Sequence, residues 1–350
     1  MFLLYVNFPE WLKPEVIPGL PLRWYGIMYV AAFAVAFFVY RAQVWERHFP
    51  MSDDDLSGLF FWCILSLLLG ARIFATLVYE TSDIYRRRPW LIFWPFRDGR
   101  FTGLMGMSYH GGAIGGTLGI IIYSALRRWD TREIADMYAC SIPLGYTFGR
   151  LGNFINGELY GRVTTGPLGM IFPHAAPLPA GEAWVQEAAA KAGIPITGTM
   201  VNLPRHPSQL YEAFFEGIVC FAITWLLRNR KPYKGFLAGF YYILYSLSRF
   251  FIEYFREPDE GLGYRIDFVK NGLSRAISHP LLAFSMGQIL SILEILFACV
   301  LLVVASRLPG REPIRDYAIL AEAEKKSGAA SDEGGRHERN SRRKLRKKLR

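Results

Sequence analysis

Charge is scarce in this chain. Asp, Glu, Lys and Arg make up 20% of its 350 residues, against 52% apolar and 15% aromatic. A soluble enzyme of that length carries a more charged surface, and a disordered chain carries fewer aromatics. Cysteine is scarcer still, with Cys63, Cys140, Cys220 and Cys299 only. None forms a CxxC pair, and no histidine is spaced to complete a metal site, so neither a disulfide scaffold nor a zinc centre is expected. All four lie in apolar runs, where a thiol behaves as a small apolar side chain. The sequence also lacks GxSxG, HExxH and Walker patterns, and any internal repeat of the kind that builds two-fold transporters. What remains is a polytopic membrane protein.

A helix crossing a bilayer needs about 20 mostly apolar residues. Seven runs qualify: Trp24–Tyr40, Leu56–Tyr79, Gly111–Leu126, Ile134–Ile155, Leu210–Leu227, Gly235–Phe255 and Leu281–Ala305. They predict an all-α polytopic fold of seven transmembrane helices, with the termini on opposite sides. Met1–Arg23 is broken by Pro9, Pro14, Pro18 and Pro21 and has neither a basic start nor a small-residue cleavage site, so it reads as an interfacial segment.

Lys and Arg set the orientation. The short segments Arg41–Asp55, Arg127–Glu133 and Arg228–Lys234 hold nine of them in 29 residues, whereas segments 1–23, 80–109, 156–209 and 256–280 hold fourteen in 132. This predicts the N-terminus outside and the C-terminus inside, although Arg86–Arg88 runs against the bias. Residues 156–209, rich in Gly and Pro, are expected to form a small outer (periplasmic) head with a helix over Glu182–Ala192. Residues 1–306 then form the membrane domain and 307–350 a basic, disordered cytoplasmic tail beside anionic lipid. The tail has no aromatic interleaving, so no nucleic-acid partner is expected.

The polar residues inside the runs carry the functional signal. Arg72, Arg150, Arg249, Glu253 and Glu294 sit where each charge costs about 2.5–3.5 kcal/mol on insertion scales. Such a group pairs, meets water or meets a ligand. For Arg72 and Glu294 a structural ion pair weighs equally with a functional role. Counted from the inner ends of their runs, Arg150 and Arg249 rise about 24 and 21 Å, to similar depth in the outer half of the bilayer. Tyr245, Arg249, Glu253 and Arg256 form one helical stripe, and Arg150, Asn153 and Gly157 another. Tyr25, His110, Tyr211 and Glu212 open their runs at the same outer level. Polar groups from five helices thus aim at one zone that suits an anionic headgroup.

Two glycine-rich stretches flank this zone. In His110-Gly111-Gly112-Ala113-Ile114-Gly115-Gly116 the glycines read as helix-packing residues. Gly149-Arg150-Leu151-Gly152-Asn153-Phe154-Ile155-Asn156-Gly157-Glu158 has no such packing explanation. Together with Trp24-Tyr25-Gly26, Gly70-Ala71-Arg72, His206-Pro207-Ser208-Gln209-Leu210-Tyr211-Glu212, the Tyr245–Arg256 stripe and Gly287-Gln288, it resembles the signatures of the prolipoprotein diacylglyceryl transferase family. The resemblance covers about residues 1–306.

It implies a multi-pass enzyme of the bacterial plasma (inner) membrane with no cofactor and no metal. Such an enzyme moves the diacylglyceryl group of phosphatidylglycerol to the lipobox cysteine in a prolipoprotein signal peptide, forming a thioether and releasing glycerol phosphate. The family residues carried over are Tyr25, His110, Arg150, Asn153, Glu158, Gly161, Tyr245, Arg249 and Glu253. The substrate supplies the thiol, of pKa about 8.5, so the enzyme needs no cysteine of its own. Negative charge grows on the departing phosphate, and an arginine fork in low dielectric stabilises it. Arg150 is the first candidate, with Arg249 a second cation or an organiser through Glu253. His110 accepts the thiol proton or positions substrate. The competing reading is a secondary transporter or lipid flippase using the intramembrane arginines.

Overall fold

The structure, a computed structural model, describes residues 5–17, 19, 22–80, 83–97, 99–101, 106–257, 264–267 and 283–322. Residues 323–350, most of the basic tail, lie outside the described residues.

Six of the seven apolar runs fall mainly on helix; of the seventh, Leu281 and Leu282 lie outside the described residues, 283–285 are strand and the rest is helix. In chain order, strand β1 (Val6–Asn7) precedes α1 (Trp24–Glu46) and α2 (Asp53–Phe74), which continues as a π-helical turn through Tyr79. The short α3 (Ile84–Arg87) and the hairpin β2 (Phe96–Arg97) and β3 (Arg100–Phe101) lead to α4 (Tyr109–Leu126) and α5 (Thr131–Ile155). Strands β4 (Met170–Ile171) and β5 (Leu178–Pro179), helix α6 (Ala183–Ala192) and strand β6 (Met200–Val201) follow. Next come α7 (Ser208–Glu212), a π-helical turn over Ala213–Val219, α8 (Cys220–Leu227) and α9 (Phe236–Ile252). Strands β7 (Tyr264–Asp267) and β8 (Ala283–Ser285) and helix α10 (Met286–Arg307) close the order.

Four of these helical stretches, Trp24–Glu46, Asp53–Val78, Ser208–Leu227 and Met286–Arg307, are long and apolar enough to cross a membrane, and His110–Leu126 and Phe236–Ile252 are shorter apolar helices. Large apolar side chains such as Val30, Phe61, Ile122, Phe215, Leu296 and Val303 point outward and are exposed. A belt of that size belongs against lipid.

Polar side chains start the helices by accepting the N–H groups that a first turn leaves unpaired. Ser52 caps α2 through Asp55 N (3.1 Å), Ser108 caps α4 through Gly111 N (3.1 Å), and Asp130 caps α5 through Arg132 N (3.1 Å). Ser285 and Gln288 form a reciprocal capping box on α10.

The chain divides into two compact units, Met1–Tyr40 with Arg128–Arg311, and Arg41–Arg127 with Glu312–Arg350. In the second unit α2 lies along α4, backbone against backbone. A Cβ on Gly115 would collide with the Ser66 carbonyl oxygen and sit 3.0 Å from Gly70 Cα, whereas one on Gly116 would meet only Leu67 and Cys63 at 3.6 Å or more. Arg72 is buried here as a structural anchor. Its Nε donates to Ile92 O (2.5 Å) and its Nη1 to Gly106 O (3.2 Å), under the Tyr85 ring. Residues after α10 return to the end of α1, where Arg47 donates to Ile314 O (2.5 Å) and Tyr317 N donates to Arg47 O (2.9 Å).

In the first unit α5 is central, packed on α7, the π-turn, α8 and α9, while α10 lies along α9. At one end Lys231 bridges Glu133 (2.7 Å) and Asp136 (2.9 Å), all three buried, and Asp136 also accepts the Gly235 and Ala238 N–H groups that open α9. Ser246 donates to Glu294 (2.8 Å), which gives that intrahelical acid a structural partner. Residues 156–209 add short strands and helix α6 to the long helices. β1 pairs parallel with β4 beside a core of Phe8, Phe172 and Ala175, and β5 pairs antiparallel with β6 beside one of Val163, Val185, Ala188, Ala189, Val201 and Leu203.

The α2–α4 contact yields a prediction. Gly115→Ala should lower the melting temperature in detergent, since overpacking a closed contact costs about 1–3 kcal/mol. Gly116→Ala meets open packing and relieves a helix-interior glycine, so it should leave stability unchanged or raise it by up to about 1 kcal/mol. Equal effects from the two would contradict the account.

Candidate active site

At the end of the first unit opposite Lys231, four helical segments bring charge together. Tyr146 and Arg150 stand one turn apart on α5, Glu212 ends α7, and Glu216 follows one turn later in the π-turn. Arg249 and Glu253 close α9, with Arg256 just beyond. A π-turn widens the helical ladder and is often found where a helix must place side chains for function.

Glu212 is the hub, fully buried. Its Oε2 lies 2.7 Å from Arg150 Nε, and its Oε1 accepts from Arg249 Nη1 at 3.1 Å and Arg256 Nη1 at 2.5 Å. Glu253 is a second acceptor, 3.2 Å from Arg249 Nη2 and 3.3 Å from Arg256 Nε, and it receives the Ser285 hydroxyl at 2.8 Å. Gly287 makes room for that carboxylate: a Cβ there would sit 2.8 Å from Glu253 Oε1. The first turn of α10 also presents its positive dipole end to Glu253. Arg150 Nε further donates to the Tyr146 hydroxyl at 2.6 Å, and that hydroxyl donates in turn to Glu216. Tyr245 stands edge-on to the Tyr146 ring, centroids 5.9 Å apart.

Exposure separates the signs. The Glu212 side chain is 0% exposed, while Arg150 and Arg249 keep 17% and 18%. The carboxylates therefore lie behind and the guanidinium groups in front. Among the described residues Arg150 directs only Nε at protein acceptors, which leaves its two terminal nitrogens as a fork.

A second polar cluster follows on the same helix. Gly157 and Leu159 adopt positive φ, of 65° and 56°, and turn the chain back at the end of α5. Asn153 and Asn156 both donate to Glu158 Oε1, at 2.9 and 3.3 Å. Gln209 Nε2 and the Ser208 hydroxyl hold the carbonyls of Glu158 (2.6 Å) and Leu159 (3.1 Å), which ties this turn to the start of α7. Tyr25 of α1 rests on Gly152, faces Asn153 and Glu158, and meets the Tyr29 hydroxyl at 3.1 Å. Beside Asn156 opens a cavity of about 590 Å³ whose polar lining includes Lys13, Arg23 and His174. Gly161 is a point of closest backbone approach, because a side chain there would collide with the Phe255 carbonyl oxygen.

Arg150, Arg249, Glu253 and Tyr245 thus share one cluster, Tyr25, Asn153 and Glu158 another, and Gly161 sits under the residues that follow α9. His110 belongs to the second unit, exposed in the first turn of α4. Sequence reasoning had placed Glu212 in the polar zone without a role, and it passed over Tyr146 and Glu216. The available signal was spacing: Tyr146 with Arg150, and Glu212 with Glu216, are i, i+4 pairs in apolar helices.

Long apolar helices with exposed apolar side chains, and a buried arginine–carboxylate cluster among them, define a polytopic membrane protein. The comparisons carry this to a family. The family model described as prolipoprotein diacylglyceryl transferase matches residues 15–304. The chain is similar to the phosphatidylglycerol–prolipoprotein diacylglyceryl transferase of Treponema denticola, 52% identical over 314 residues, covering 84% of this chain and 92% of the relative. The proteins of that name from Treponema pallidum and Chlorobaculum tepidum are 49% and 39% identical, over 84% and 83% of this chain and 93% and 88% of their own. The chain belongs to the prolipoprotein diacylglyceryl transferase family.

His206 joins the head to α7 and gives a prediction on pH. Its backbone pairs with Gly161 and Arg162, and its ring packs on Phe255 and Tyr211. Burial, and then the Arg162 guanidinium, push its pKa below the usual histidine range. A histidine held neutral in the fold takes up a proton more readily when unfolded, so stability should fall as pH drops below about 6.5. Melting temperatures recorded from about pH 8 to about pH 5 should show this loss in the wild type and a shallower one in His206→Gln. Parallel curves would contradict it.

Proposed function

We propose that this protein transfers the diacylglyceryl group of phosphatidylglycerol to the lipobox cysteine of a prolipoprotein, the lipidation step of lipoprotein maturation. The observation that carries the reading is the three-arginine cluster on fully buried Glu212, in which the Arg150 and Arg249 side chains keep partial exposure. Family membership supports it. In this reading seven helices cross a bacterial inner membrane, the N-terminus and head lie outside, and the basic tail meets anionic lipid inside.

The substrate thiol loses its proton, and its sulfur attacks the glyceryl carbon that bears the phosphate ester. A carbon–sulfur bond forms as the carbon–oxygen bond to phosphate breaks, and glycerol phosphate leaves with the bonding electrons. Arg150 meets the charge that grows on that phosphate, through the fork left by its Nε contacts. Arg249 adds a second cation and Glu253 sets its direction. Tyr25, Asn153 and Glu158 hold the glyceryl and peptide groups by hydrogen bonds, with Tyr245 against the arginines and Gly161 keeping head and α9 in register. The thiol proton goes to a base, and His110 of the second unit is the candidate, either for that proton or for positioning substrate.

The direct test incubates purified protein with phosphatidylglycerol and a lipobox peptide, and looks for the diacylglyceryl mass gain on cysteine and for released glycerol phosphate. Arg150→Lys keeps the charge but loses the planar fork. It should fold and lose on the order of 10²-fold or more in turnover, the effect of removing one transition-state donor. Wild-type rates in Arg150→Lys would move the phosphate role to Arg249.

A further inference from the structure

Tyr146 and Glu216 have no part in the chemistry above, yet both are placed with care. Glu216 is a fully buried carboxylate in an apolar helix, and its only hydrogen-bond partner among the described residues is the Tyr146 hydroxyl. A buried acid is costly to keep unless it has work to do or a partner that needs it. Tyr146 is that partner, and its own contacts show what it serves. We infer that Tyr146 is a positioning residue that aims Arg150, with Glu216 as the anchor of the Tyr146 hydroxyl.

A tyrosine hydroxyl has one proton and two lone pairs. The Arg150 Nε–H occupies a lone pair at 2.6 Å, so the hydroxyl proton turns to the acceptor on its other side, Glu216 Oε2. The hydroxyl proton is thereby locked, which confines its lone pairs, and with them the Arg150 Nε–H, to fixed directions. The guanidinium carbon also lies 4.9 Å from the Tyr146 ring centroid, which limits its tilt. The ring itself is braced edge-on by Tyr245 at an interplanar angle of 86°. Glu212 alone would fix where the Arg150 charge sits, since an ion pair tolerates rotation. Tyr146 fixes the plane of the fork, and a bidentate grip on phosphate depends on that plane.

This inference rests on the transferase reading, and the same assay separates the two. Initial rates over a phosphatidylglycerol titration are measured for wild type, Tyr146→Phe, Arg150→Lys and the double variant, each with its melting temperature. Tyr146→Phe removes one oxygen and leaves the ring. It leaves Glu216 without its partner, so it should melt several degrees below wild type, and it should lose about 10-fold in kcat, the usual size of one hydrogen bond to a charged group. KM should move much less, because a mis-aimed fork still holds ground-state phosphate but meets the developing charge poorly. In the Arg150→Lys background the same change should cost less than about 2-fold, because no planar fork remains to aim. Wild-type kcat in Tyr146→Phe, or an undiminished loss in the Arg150→Lys background, overturns the inference.

If Tyr146→Phe does not fold, Glu216→Gln and Glu216→Leu decide. Gln still offers a carbonyl oxygen to the Tyr146 hydroxyl and should stay within about 3-fold of wild type, while Leu should fall to the 10-fold loss. Equal rates in the two would count against the anchor. Absence of transfer by the wild-type protein is a different result, and it defeats the transferase reading itself.

Discussion

The charged groups at one end of the first unit are organised around one carboxylate with no access to water. Glu212 is fully buried and touches Arg150, Arg249 and Arg256, which arrive from two stretches of chain, α5 and the end of α9. Alone, a carboxylate at that depth would be prohibitively desolvated, and so would three converging guanidinium groups. Together, and with Glu253 behind Arg249 and Arg256, they satisfy each other and leave surplus N–H donors pointing outward. The cluster makes buried charge tolerable, and in the proposed reading it leaves the Arg150 fork for an anion.

The scaffold is built to hold that geometry from both ends. At one end α5, α8 and α9 are tied by Lys231, Glu133 and Asp136, with Asp136 doubling as the cap of α9. At the other, the turn after α5 is pinned to α7 by Gln209 and Ser208. Between them the helices approach closely where glycine permits it. A Cβ on Gly217 would collide with the Thr147 hydroxyl, and one on Gly145 would lie 2.7 Å from Ala32 O. With α5 fixed at both ends and packed tightly between, Arg150 and Tyr146 keep a constant relation to Glu212 and Glu216.

Much of this was legible from residue order. Apolar runs of the right length become helices because their main-chain groups have no better partner in lipid. The Gly149–Glu158 block stood out because arginine, asparagine and glutamate have no packing reason to be there. The shared depth of Arg150 and Arg249 followed from rise per residue alone. The hub was harder. Glu212 was noticed as a polar residue opening a run, but its three partners come from other helices, and no periodicity reports contacts between helices. Tyr146 looks like any aromatic in a span, and Glu216 gains meaning only through the π-turn, which no apolar pattern signals. Arg72 was ambiguous for a similar reason, since its acceptors are the main-chain carbonyls of Ile92 and Gly106. The paired strands of the head are two residues each, too short for any alternation to show.

If Glu212 is the group on which the arginines depend, its removal must be felt as lost stability before it is felt in any assay of turnover. The thermal stability of Glu212→Leu in detergent, compared with wild type, is the most direct measurement. Removing one partner of a buried ion pair costs about 3–5 kcal/mol through the charges left behind, so the variant should melt far below wild type. It should recover part of that loss when Arg256→Met removes one of the stranded cations. A Glu212→Leu protein as stable as wild type would mean that the arginines are held by something else, and the account of the site would fail with it.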